Sequence, residues 1–206
     1  MSVRGDPQAA SRDLARFLTR ICETRLSRLE SSTQRLPMTP EECLDLLSAI
    51  GQLDLEDWSP LTQQARRRLQ ARTLDFKNRF QGLRASMRKK VVVGFGAAAR
   101  EVAVGIWASL VEMDKSFAGT PSHSGVGWID LHHDVLYDRS RLGYAIAFLG
   151  TINLKCPVAT IRIVKKLDQD LKRFLPRAYG EVRKAPDFRP FEPERYPKSF
   201  WWYRLR

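Results

Sequence analysis

Leu69, Thr73, Phe76, Phe80, Leu83 and Met87 follow one another in alternating steps of four and three. That repeat puts side chains on one face of an α-helix and does not suit a strand, whose faces alternate at every residue. It extends for about three heptads through residues 66 to 90, a stretch with ten Lys or Arg and one acid, Asp75. The basic residues Arg66, Arg67, Arg68, Arg72, Lys77, Arg79, Arg84, Arg88, Lys89 and Lys90 mostly avoid the seam. The spacing predicts a long helix opened by Ser59 and Pro60, apolar on one side and strongly cationic on the other.

The same period recurs along the chain. Between Asp13 and Glu30, Leu14, Phe17, Leu18, Ile21, Leu26 and Leu29 form an amphipathic stripe. In "PMTPEECLDLLSAIG", Thr39 is the expected N-cap and Pro40 lies in the first turn with Glu41 and Glu42, while Gly51 is the expected stop, so a helix is predicted over Pro40–Ile50. "RLGYAIAFLGTINL" is apolar nearly all round, with Gly143, Ala145, Ala147 and Gly150 allowing close approach, and reads as the central buried helix. After Pro157, Ile161, Val164, Leu167, Leu171 and Phe174 make one face and Arg162, Lys165, Lys166, Lys172 and Arg173 the other.

The Gly, Ser and Pro of residues 116–127 mark a loop, and from Pro176 onward five prolines precede the aromatic end "YPKSFWWYRLR". Residues 91–111 are apolar enough to suggest a membrane span, but Arg100 and Glu101 at their centre would each cost roughly 2.5 to 3.5 kcal/mol there. They read instead as a buried core segment. The expected fold is mainly α: one helical bundle over residues 1–175, interrupted near 116–127. An irregular, Pro-rich, aromatic tail over 176–206 then packs on the body or on a partner.

Charge is unevenly placed within a formal total of +12. Residues 1–60 hold 7 Lys or Arg against 10 acids, residues 61–120 hold 12 against 4, and residues 121–206 hold 16 against 9. A positive field of this kind attracts phosphate backbones or anionic surfaces without specifying a fold. Cys22, Cys43 and Cys156 form no CxxC pair and are odd in number, which points to a reducing cytoplasm. "MSVRGDPQAASRD" lacks the apolar core of a signal peptide.

Two groupings could carry chemistry. "KKVVVGFGAAARE" has Gly94, Gly96 and Ala99 in GxGxxA spacing behind three valines, with Asp114 twenty residues after Gly94. In a dinucleotide site such glycines let backbone amides reach a pyrophosphate at a helix N-terminus. Here no later βα units follow, and the bland reading has the glycines break the basic helix and begin a buried one. In "DLHHDVLYD", Asp130, His133 and Asp134 would share a helix face in metal-ligand spacing, while His132 points elsewhere and His123 lies in the loop. The bland reading is an exposed acidic helix start.

One-sided charge on two helices and the tail is the larger signal. The sequence therefore predicts a cytoplasmic, non-enzymatic protein without cofactor, an accessory subunit of a nucleoprotein assembly. It would grip DNA or RNA backbone through Arg66, Arg67, Arg72, Lys77, Arg79, Arg84, Arg88, Lys89, Lys90, Arg162, Lys165, Lys166, Lys172 and Arg173. Of the aromatics, only Trp201, Trp202 and Tyr203 are placed to stack on bases. The acidic N-terminal helices and the aromatic tail would contact protein subunits, with no membrane involved. The alternative is a helical protein scaffold whose cations face acidic partners; the enzyme readings rest on the Gly94 or Asp130 groupings.

Overall fold

A computed structural model of the protein describes residues 6–33, 35–118, 125–183 and 196–204, with side chains described outside 115–131 and 181–182. Among the described residues six α-helices follow one another: α1 Pro7–Ser31, α2 Pro40–Leu55, α3 Gln63–Gly82, α4 Ala85–Ala118, α5 Gly125–Thr151 and α6 Val158–Val182. A short 3-10 helix spans Trp201–Arg204. Among the described residues there is no strand, so the chain is mainly α, as its apolar period predicts.

α1 starts ahead of its predicted stripe because Asp6 accepts the Gln8 N–H and Pro7 takes the first helical position. Its buried face is Ser11, Ala15, Leu18, Cys22, Leu26 and Leu29, whereas Phe17, which the sequence places in the core, is 57% exposed. Small Ala15 and Cys22 hold the i, i+3, i+7 positions around Leu18, and Phe17 lies about 100° away from it.

α2 begins in the expected capping box, Thr39 with Glu42, but it runs through Gly51 to Leu55. Gly51 is needed for packing, not for termination. A Cβ there would lie 2.2 Å from the Tyr144 carbonyl oxygen, so α5 crosses α2 backbone to backbone at this point. α2 and α5 form the centre of the bundle: Leu44, Leu46, Leu47 and Ile50 pack with Leu142, Ala145, Phe148 and Leu149, and all are buried. α5 is thus a central helix, and its partner there is the equally buried α2.

All six residues of the Leu69–Met87 seam are buried. They belong to two helices, however. Thr62, not Ser59, caps α3 by accepting the Ala65 N–H, and the backbone breaks at Leu83 and Arg84 before α4 starts. Gly94 and Gly96 lie inside α4, where added Cβ atoms would meet Cys43 Sγ at 2.7 Å and Thr160 Oγ1 at 3.1 Å. They neither break the basic helix nor follow a strand, so the dinucleotide fingerprint is not formed. Residues 91–111 are not buried all round either. Val91, Phe95, Ala99, Ala103, Ile106 and Leu110 face the core, while Val93, Val104 and Val111 are more than half exposed. By length and composition Ala85–Asp114 could cross a membrane, and 33% of its most apolar stretch is buried.

Helix α4 reaches Ala118 and α5 starts at Gly125, so the margins of the predicted 116–127 loop are helical, and residues 119–124, His123 among them, lie outside the described residues. The "DLHHDVLYD" stretch is consequently internal to α5 instead of starting a helix. α5 ends in a turn whose Asn153 adopts φ 56°, a left-handed conformation that Asn tolerates. α6 continues past Pro176, which is exposed, so the carbonyl that loses its N–H partner faces water.

Residues 184–195 lie outside the described residues; residues 196–204 lie against α5. Phe200, Trp202 and Tyr203 are buried, the Trp202 indole donates to Ser140 Oγ (3.1 Å), and Ser140 Oγ bonds Tyr203 Oη (2.9 Å). Arg139 holds both ends of this junction. Its Nε and Nη2 donate to the two oxygens of Asp168 on α6 (2.7 and 2.9 Å) and its guanidinium stacks 4.3 Å from the Trp202 ring centre. Trp202 and Tyr203 are therefore core residues and are not open for stacking on bases, and Trp201 is half-buried beneath Lys172.

Candidate nucleic-acid interface

The N-terminal half of α3, from Gln63 to Leu74, contains no acid, and neither α1 nor α3 has one in its first turn. Amphipathic packing buries Leu69, Thr73 and Phe76 and turns Arg67, Arg68 and Arg72 to solvent. α1 runs alongside in the same direction: Arg79, late in α3, meets Glu23 and Glu30, late in α1. The two N-terminal ends consequently flank one groove of about 620 Å³. Its charged lining is Arg12, Arg16, Arg20, Arg68 and Arg72 against one carboxylate, Glu23, which is engaged by Arg79 at 3.2 Å.

Among the described residues no carboxylate pairs with Arg12, Arg20, Arg67, Arg68 or Arg72, and Arg16 makes only an exposed i, i+3 contact with Asp13 at 3.6 Å. Such a pair contributes about 0 to 1 kcal/mol and yields readily to a better anion. Both helix N-termini add their partial positive charge at the same end of the groove. The arrangement can bind an extended polyanion, and among the described residues no group of three or more His, Cys, Asp or Glu could hold a metal.

The sequence-predicted cations divide into different environments. Lys77 is paired with Asp54 of α2 at 2.9 Å. Arg79, 20% exposed, donates from Nε and Nη2 to the two oxygens of Glu30 (both 2.8 Å), which raises the Arg79 pKa further and holds the Glu30 carboxyl below its usual range. Both residues fasten α3 to its neighbours, so their charge is already neutralised. Arg66 is half-buried. Arg84 donates to the Thr33 carbonyl (3.0 Å) and Arg88 to that of Gln81, closing the break between α3 and α4. Lys89 and Lys90 are exposed beside them.

Arg162, Lys165, Lys166, Lys172 and Arg173 are exposed on α6, which packs chiefly on α4 and α5, whereas α3 packs on α1 and α2. The structure does not join the two cationic faces into one patch. Sequence reasoning missed Arg12, Arg16 and Arg20 because the first third of the chain is acidic on balance. Three of its ten acids, Glu41, Glu42 and Asp45, sit elsewhere, tied to Arg25, Arg28 and Arg141 on the α1, α2 and α5 junction. The i, i+4 repeat 12, 16, 20 was the available signal.

In the Asp130 grouping, the Asp130 side chain lies outside the described residues, and Asp134 is exposed. His132 is the buried member, 1% exposed, against Tyr179 of α6 (ring centres 6.4 Å apart) and His133. Burial, reinforced by the neighbouring His133, pushes its pKa down to about 4.

Compared with protein-family models, with curated proteins and with solved structures, the chain matches none.

Proposed function

We propose that the protein is a non-enzymatic nucleic-acid-binding subunit of a larger nucleoprotein assembly and that it grips phosphate backbone in the groove between α1 and α3. The observation that carries this reading is the convergence of Arg12, Arg16, Arg20, Arg68 and Arg72 at two helix N-termini with a single carboxylate that is already engaged. Arg12, Arg16 and Arg20 repeat every about 6 Å along the helix axis, as i, i+4 spacing dictates. They form a rail facing Arg68 and Arg72. A linear series of phosphates answers that geometry better than a single anion does, and arginines acting on phosphate carry no base readout. This reading leaves α6 aside.

The test is a titration of single- and double-stranded DNA and RNA oligonucleotides at 50 and 200 mM salt. If five phosphates are neutralised on a duplex, log affinity falls against log salt with slope about −4.5, so affinity drops about 500-fold between the two conditions. An Arg12→Gln, Arg68→Gln, Arg72→Gln variant should keep its fold and flatten the slope by about three contacts' worth. A parent that binds none of the four ligands, or a variant with the parental slope, overturns the proposal in favour of a scaffold for acidic proteins.

A further inference from the structure

A second groove lies between α4 and α6. The two helices run parallel: Gly96 abuts Thr160, Trp107 Nε1 donates to Asp170 (3.1 Å), and Asp114 pairs with Arg177 (3.0 Å). From the first of these contacts to the last, both chains advance about 27 Å at the helical rise. The groove encloses about 740 Å³ on a floor of Trp107, Leu110, Val111 and Phe174. Val93 and Val104 continue this floor along α4, 61% and 57% exposed. Val93, Val104 and Val111 thus form an exposed apolar stripe beside the groove, interrupted by Arg100.

What covers it is decided by charge and shape. Along α6 the rim carries Lys166, whose ammonium lies 5.3 Å from the Trp107 ring centre, and Arg173, with Arg162 one turn back on the same stripe, and all three are exposed. The nearby acids are engaged: Asp168 by Arg139, Asp170 by the Trp107 indole, and Asp114 by Arg177. A second copy of the chain would present one cationic α6 with another, since an isologous interface sets the same patch on both sides. A bilayer surface would not fill a concave channel between two rods. We propose that this groove docks an amphipathic helix of a partner protein, with apolar residues at i, i+3, i+4 and i+7 seated on Trp107, Val104 and Val111 and acidic residues along the α6 rim. This goes beyond nucleic-acid binding, because the groove is separate from the α1 and α3 arginines.

The experiment uses fluorescence anisotropy of a labelled helical peptide of about 18 residues, roughly 27 Å long, with Leu at those positions and Glu elsewhere. A counterpart with Lys in place of Glu is the control. The full chain should bind the acidic peptide saturably and the basic one not at all. Val104→Glu with Val111→Glu should weaken it by at least about tenfold, a typical loss for a central apolar anchor. Lys166→Glu with Arg173→Glu should weaken it as well, and in both variants the melting temperature should stay parental because these side chains are exposed. Oligonucleotide affinity should be unchanged in the valine variant, so failure here and failure of the phosphate reading are distinguishable. The proposal is overturned if the acidic peptide does not bind, if both peptides bind alike, or if the valine variant binds as the parent does. It is also overturned if the valine substitutions instead abolish dimerisation in sedimentation or partition onto phosphatidylglycerol vesicles.

Discussion

Arg72 and Arg79 stand seven residues apart on α3 and look equivalent in the sequence, yet their replacement by Gln should give opposite phenotypes. Arg72 is exposed and lines the groove. Arg79 makes a two-pronged contact with Glu30 at 2.8 Å, with Glu23 at 3.2 Å, and its side chain is 20% exposed, against 39% for Glu30. A hydrogen-bonded charge contributes about 1.5 to 3 kcal/mol when shielded and about 0 to 1 kcal/mol when exposed. For this half-sheltered fork the loss should be about 1 to 2 kcal/mol, discounted for the exposure of Glu30. In a chain of this size that lowers the melting temperature by roughly 2 to 8 °C. Arg72→Gln should leave it within about 1 °C and weaken oligonucleotide binding instead. The pH dependence supplies a second check. Arg79 holds the Glu30 pKa below its unfolded value, so its contribution is complete above that unfolded value and disappears as pH falls through the lower, folded one. Thermal melts by circular dichroism at pH 7 and at pH 3 should show a smaller Arg79→Gln deficit at the second pH than at the first. Equal melting of the two variants at pH 7, or a deficit undiminished at pH 3, refutes the assignment of Arg79 to structure.

Gly51→Ala should destabilise the fold despite gaining about 1 kcal/mol of helix propensity, because its Cβ would sit 2.2 Å from the Tyr144 carbonyl and force α2 and α5 apart; denaturant melts should show a net loss of about 1 to 3 kcal/mol, and a stabilised variant would sink this account of the crossing. His132 is held neutral in the fold, with pKa down to about 4, so the stability that it contributes is present above its unfolded value near 6.5 and is lost as pH falls toward 4. Between pH 7 and pH 5 the parent should lose about 2 kcal/mol that His132→Phe does not lose, and parallel pH profiles for the two proteins would count against it.

The periodic elements were legible because apolar side chains at helical spacing have few alternatives in water. Leu69 to Met87 and Val164 to Leu171 sit in the core where their spacing puts them. Glycine was the unreliable sign. Gly51 and Gly94 look like stops from neighbours along the chain, but they are set by neighbours across it, the Tyr144 backbone and the Cys43 thiol. The break at Leu83 and Arg84 carries no Pro, and from it the Arg84 side chain donates to the distant Thr33 carbonyl, which no local pattern announces. Charge was legible in sum and not in place. Net sign by thirds hid Arg12, Arg16 and Arg20 among acids of which Glu41, Glu42 and Asp45 are tied up at another junction. Likewise, the aromatic run near the C-terminus resembled a contact surface until Trp202 and Tyr203 were seen buried on Ser140.

That last junction closes the surface of the central helix α5. Phe200 fills the space that Gly143 leaves beside α5, where even a Cβ would come within 2.7 Å of its ring, and it stacks on Trp202, which in turn covers Arg139. During synthesis, therefore, α1 to α6 can gather around α2 and α5, but a nascent chain that stops short of residue 203 leaves Arg139 and Ser140 open to water at the surface of its central helix. Domains fold as units as they emerge, and species with an uncovered interior aggregate or are degraded. Removing the 3-10 helix would therefore uncover Arg139, Ser140 and the space beside Gly143 together.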